Sequence, residues 1–176
     1  MRIVPDSALV ERAAAELAAA ARPVIVAGGG VLTSGAWNEL TALGEGLNIP
    51  VATSINGKGS IAETSDVALG VIGGNGARPY ANACLADADL VLYIGTRTDS
   101  TTTCHWTLPP IGNAPSVIQA DIEPFEVGNN YPVAVGLVGD AGLALAATKV
   151  ASDCCVPTGS RIANCKLGIA NCKLGR

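Results

Sequence analysis

The chain has 176 residues, of which 49% are hydrophobic and 15% charged, and its net charge is −4. That length suits one domain with a substantial core. An acidic chain without a basic run excludes nucleic acid as an expected partner, and no stretch approaches the roughly 18 apolar residues of a membrane helix.

An ordinary soluble domain has about a quarter of its residues charged. The shortfall has two readings: part of the surface is covered by another domain or subunit, or the composition is simply rich in alanine. Pro5, Asp6, Glu11 and Arg12 interrupt any apolar signal-peptide core, so a cytoplasmic location is expected. Of six cysteines only Cys84 and Cys104 fall in the body of the chain, which is not the pattern of a disulfide framework.

Asp6 or Ser7 caps a first helix, with Leu9, Val10, Ala13, Leu17 and Ala20 as its apolar stripe. The helix ends before Pro23, because the residue preceding a proline avoids the helical region. Val24–Val26 is a strand apolar on both faces, as in a central parallel sheet. It runs into Gly28, Gly29 and Gly30, and a second helix from Ser34 carries Trp37, Leu40, Leu43 and Leu47. Strand, glycine turn and helix N-terminus together form a place where phosphate can meet backbone N–H groups; the alternative is a tight turn that lets helix approach sheet. Gly28 and Gly30 match the first two glycines of the dinucleotide fingerprint, but Thr33 replaces the third, and no acidic residue ends the next strand. A standard NAD site is therefore disfavoured.

Further strands are expected at 49–53, 68–72, 89–95, 116–120 and 133–138, with helices from Pro79 to about Ala86 and from Ala141 to about Ala151. A second glycine turn, Gly73, Gly74 and Gly76, lies just before Arg78, whose guanidinium suits phosphate. The plain reading of this turn is a loop with a surface arginine. A long polar loop, 96–113, holds the single histidine, His105, beside Cys104; the pair lacks catalytic partners at any motif spacing. Asp121 and Asp140 each end a strand, where a carboxylate either accepts from a ribose or adenine amine or caps the following turn or helix. Lys58, between two glycines, either reaches a phosphate or is solvated.

Six strands alternating with helices predict a three-layer, Rossmann-like α/β domain: a six-stranded parallel sheet with helices on both faces. Ligands of such sheets bind at the carboxyl ends of the strands, where the glycine turns and both aspartates fall. The domain is read as 1–151. Residues 152–176 read as an appended or disordered tail, because 162–168 are repeated letter for letter at 169–175 after a Thr-Gly-Ser-Arg joint. A cysteine-bearing metal segment is the alternative, although no Cys-x-x-Cys occurs in it.

Five segments stand in one order: Ala27-Gly-Gly-Gly-Val31; Pro50-Val-Ala-Thr53 with Gly57-Lys-Gly59; Asp89-Leu-Val-Leu-Tyr-Ile-Gly-Thr-Arg97; Asp121-Ile-Glu-Pro124; and Gly139-Asp-Ala141. In this the chain resembles, over about residues 6–150, the central domain of thiamine-diphosphate-dependent enzymes of the acetolactate synthase, pyruvate oxidase and benzoylformate decarboxylase kind. The resemblance implies an inter-domain module between two thiamine-binding domains, in a homo-oligomer, holding FAD or an ADP moiety in some members and nothing in others. It places Gly28, Gly29, Gly30, Gly73, Gly74, Gly76, Arg78, Thr96, Arg97, Asp121, Ile122, Glu123, Asp140 and Ala141 around that nucleotide. Flavin-using members tend to carry a Gly-Met-His-Gly type of loop where this chain has Gly73-Gly-Asn-Gly76, which speaks against flavin more than against an adenine nucleotide. Thiamine diphosphate and Mg²⁺ are implied only for the parent enzyme. The chain has neither the Gly-Asp-Gly diphosphate motif nor a domain to supply the activating glutamate, so no catalytic or metal residue is expected and the chain alone is not expected to turn over 2-keto acids. Two alternatives differ in class: a free-standing NAD-dependent enzyme of the deoxyhypusine synthase or sirtuin kind, and a ligand-free assembly module.

Overall fold

The computed structural model describes residues 2–111 and 115–155. The repeated segment and its joint lie outside these residues. Six strands form one sheet: β1 Pro23–Ala27, β2 Val51–Thr53, β3 Ala68–Val71, β4 Leu90–Ile94, β5 Ser116–Asp121 and β6 Val135–Val138. Their order is β3-β2-β1-β4-β5-β6, and every pairing is parallel. The expected parallel α/β architecture is therefore present. The order reverses at β1 and β4, so the carboxyl ends of these two strands flank the switch point at which such sheets open a crevice.

The period-two alternation of each strand divides two cores. Ile25, Ala27, Leu92 and Ile94 face one side with α1 Ser7–Ala19, α2 Gly29–Thr33, α3 Trp37–Leu47 and α5 Ala141–Cys155. Val24, Val26, Val91 and Tyr93 face the other, where α4 Pro79–Ala86 and Tyr131 cover the sheet. Helices thus lie on both faces, four against one.

Local chemistry sets the helix ends. Asp6 caps α1 by accepting from the Leu9 N–H at 3.0 Å. Pro79 opens α4 at its first turn, where a missing N–H costs nothing. The second helix, expected from Ser34, begins at Trp37 as α3, and the glycine run read as a turn forms the short α2; Gly35, at φ +67°, separates the two. Trp37 stands at the start of α3 and is 49% exposed, outside the core stripe expected for it. The strand at 133–138 begins only at Val135, and α5 runs about one turn past Ala151, to Cys155.

The loop from Thr96 is tightly folded against its neighbours. Trp106 Nε1 donates to the Thr98 carbonyl at 3.1 Å, and Asn130 Nδ2 donates to the Arg97 carbonyl at 2.9 Å. Thr98, Cys104, His105 and Trp106 adopt positive φ. At the outer edge, the register of β2 and β3 shifts between Val51 and Ala52, and Gly70 in β3 has φ +84°.

Candidate functional site

A crevice of about 310 Å³ opens at the carboxyl ends of β1, β4, β5 and β6. That is the lower end of the range for small-molecule sites, roughly 300–1,000 Å³. Gly30, Arg97, Asp121, Ile122, Asp140 and Ala141, all singled out in the sequence, line it. Thr33, Ser34, Gly95 and Gly139 line it as well and were not on that roll. Gly95 was legible: a buried strand that ends in glycine beside a glycine turn signals close backbone approach.

The remaining residues lie elsewhere. Gly28, Gly29, Thr96 and Glu123 are chain neighbours of the lining, outside it. Gly73, Gly74, Gly76 and Arg78 follow β3, the edge strand at the far side of the sheet. There Gly74 N–H donates to the Thr101 carbonyl at 2.8 Å, so the second glycine turn is pinned to the 96–111 loop. Arg78 Nη2 lies 4.0 Å from Glu63, which also faces Lys58 at 3.5 Å. The glycine turns and aspartates share the carboxyl edge, as the topology requires, yet they form two separate groups.

Asp140, Asp121 and Arg97 of the crevice each engage protein partners. Asp140 caps α5: its Oδ1 accepts from the N–H groups of Gly142 at 3.0 Å and Leu143 at 3.2 Å. Its other oxygen lies 3.9 Å from Arg2 Nε, and Arg2 Nη2 donates to the Ser34 carbonyl at 3.2 Å. Asp121 Oδ1 accepts from the Glu123 N–H at 3.0 Å in an Asx turn. Arg97 Nε stands 3.5 Å from Glu126. Ile122, half exposed, gives the mouth an apolar side.

The glycines at the switch point serve packing. A Cβ on Gly28 would fall 2.1 Å from the Gly95 oxygen, and one on Gly30 would fall 2.7 Å from Gly95 Cα. Only bare backbone lets β1, the turn and β4 approach this closely.

No metal set is present: among the described residues no three or more of His, Cys, Asp and Glu are grouped to hold an ion. The sequence contains no Gly-Asp-Gly; Gly139-Asp-Ala141 is the nearest to it in form. His105 is exposed on its left-handed turn, away from the crevice lining. No helix among the described residues is long and apolar enough to cross a membrane.

An open, doubly wound parallel sheet with a crevice at its switch point defines the class of open-sheet α/β modules. A family model, the central domain of thiamine pyrophosphate enzymes, matches residues 10–148. The chain is 44% identical over 136 residues to the "Probable acetolactate synthase large subunit" of Methanococcus aeolicus, a match covering 77% of this chain and 22% of that protein. It is 36% identical over 146 residues to sulfoacetaldehyde acetyltransferase of Rhodobacter capsulatus, covering 80% of this chain and 24% of that protein. An X-ray structure described as that of a thiamin diphosphate-dependent enzyme from Mycobacterium smegmatis superposes with a TM-score of 0.67 at 22% identity, over 91% of this chain and 30% of that one, and so shares the fold. The chain belongs to the thiamine pyrophosphate enzyme central-domain family. It spans about a fifth to a quarter of the length of the curated relatives it matches.

Proposed function

We propose that this chain is the inter-domain module of a thiamine-diphosphate-dependent enzyme acting on a 2-keto acid, of the acetolactate synthase kind. Its role in that reading is structural: it holds flanking thiamine-binding domains in position and supplies no reacting group. One observation carries this. The matched segment is 22% of an acetolactate synthase subunit and 24% of an acetyltransferase, so proteins named for different reactions share the same module. A shared module sets geometry, and the reaction is set elsewhere in the longer chain.

Thiamine diphosphate and Mg²⁺ then belong to the flanking domains, and the assembled enzyme is a cytoplasmic homo-oligomer. The low charge content, 15%, supports a module whose surface is partly covered in its working state. The crevice has the place and size for a nucleoside. A free-standing NAD enzyme is disfavoured by the missing third glycine and the missing acidic residue after β2.

The test is a chimera. Residues 6–151 replace the matching segment of the Methanococcus aeolicus subunit. The expected result is a folded oligomer that retains thiamine-diphosphate-dependent acetolactate formation. A folded chimera that binds thiamine diphosphate but makes no product overturns the structural reading.

A further inference from the structure

The two turns carry the sequence's offer of phosphate binding on six glycines, and protein acceptors take the amides of four of them, Gly28, Gly30, Gly73 and Gly74. Gly28 N–H donates to the Ile94 carbonyl at 2.9 Å and Gly30 N–H to the Gly95 carbonyl at 3.0 Å. At the second turn, Gly73 N–H donates to Asn82 Oδ1 at 2.9 Å and Gly74 N–H to the Thr101 carbonyl at 2.8 Å. These are bonds of ordinary length, and a phosphate oxygen would have to displace each acceptor. A diphosphate site needs the opposite, amides left open and converging on one point.

Packing accounts for Gly28, Gly30 and Gly73 without a ligand. Any side chain on Gly73 would meet the Thr101 oxygen at 2.3 Å, the same backbone crowding that Gly28 and Gly30 show against Gly95.

Charge points the same way. Gly30 brings the start of the five-residue α2 to the crevice, and beside it lies the start of α5, which Asp140 fills with a carboxylate that caps two amides. An anion entering there meets that carboxylate instead of open N–H groups. Asp121 and Asp140 line the space against a single lining cation, Arg97, which faces Glu126 at 3.5 Å. Arg2, beside the crevice, is turned onto Asp140. A diphosphate would add like charge to a cavity in which every nearby cation already has a carboxylate.

We infer that this chain is a member of its family whose crevice rejects the diphosphate of an adenine nucleotide, so that FAD and ADP, which the family resemblance implies for some members, do not fit it. The inference rests on the reading above only for the choice of ligand.

The test titrates the full chain with ADP and with FAD by calorimetry and follows the amide resonances of Gly28, Gly30, Gly73 and Gly74. Slow amide exchange in the same sample shows that the turns are folded. The expected result is no binding at concentrations up to about 1 mM, unmoved glycine amides, and no flavin absorbance in the purified chain. Binding of either ligand tighter than that overturns the inference. A chimera that fails while the chain stays nucleotide-free sinks the proposed function and leaves this inference standing. A working chimera that binds ADP does the reverse.

Discussion

Gly28 and Gly95 meet backbone to backbone: a methyl group on Gly28 would stand 2.1 Å from the Gly95 carbonyl oxygen. Gly28 has φ −101°, a value any residue adopts, so the constraint is one of space alone. Gly28→Ala is expected to destabilise the chain by about 3 kcal/mol, the upper end of ordinary overpacking. Gly29 differs. Its nearest neighbour in that direction is the Asn56 oxygen at 3.4 Å, ordinary contact, and it begins α2. Gly29→Ala is expected to be neutral or stabilising by about 0.5 kcal/mol, since alanine is the better helix former. Urea unfolding of the two variants separates them. Equal losses would contradict the packing described for the turn.

Asp140 is buried and caps α5 through two amides. Asp140→Ala leaves those amides unsatisfied and is expected to cost about 1–2 kcal/mol. Asp140→Asn keeps an acceptor and is expected to recover most of that loss. Thermal melts of both variants read the difference. An alanine variant as stable as the parent chain would show that the cap is dispensable.

Tyr93 lies buried on the sheet, stacked with Tyr131 at a ring separation of 6.1 Å, and its hydroxyl has no partner among the described residues. An unsatisfied buried hydroxyl is a cost, so Tyr93→Phe is expected to raise stability by about 1 kcal/mol. A fall would show that a buried water serves the hydroxyl.

The same pair gives a pH dependence. Burial raises the Tyr93 phenol far above its ordinary range, and the neighbouring Tyr131 raises it further. Tyr131 is raised first by burial, with Thr103 pulling it down and Cys104 pushing it up. In the unfolded chain both phenols ionise near pH 10, while in the folded chain they hold their protons. Above that pH the unfolded state binds fewer protons, so stability falls as pH rises. It is whole below about pH 10 and is lost above it. Unfolding curves from pH 8 to 11 are expected to show the decline, flatter in Tyr93→Phe.

The purified chain is expected neither to bind thiamine diphosphate measurably nor to decarboxylate pyruvate, because the reactive carbanion sink is the cofactor's and nothing here positions it. A coupled assay for carbon dioxide and calorimetry with thiamine diphosphate and Mg²⁺ check this. Turnover by the chain alone would refute it.

Much of the scaffold was readable from pattern. Leu90–Ile94 is apolar without alternation, which only a strand covered on both faces can be, and Pro79 set the start of α4 at its observed residue. The misses have local causes. Gly35, left-handed at φ +67°, holds the start of α3 back from Ser34 to Trp37, and α2 forms in a glycine run that reads as a turn. The site was harder to read, because a glycine that opens its N–H to a ligand and one that packs against a neighbouring strand are the same letter. What separates Gly28 from a phosphate-binding glycine is the Ile94 carbonyl, 66 positions along the chain, and no local spacing encodes that bond.

The kink where β2 meets β3 sets how the molecule behaves among its own copies. With Val51 and Ala52 out of step and Gly70 turned left-handed, the outermost ribbon is short and bent, a poor template for a newcomer seeking backbone partners. The sheet therefore ends at β3 on that side, which protects a chain this rich in aliphatic residues from stacking edge to edge into fibrils.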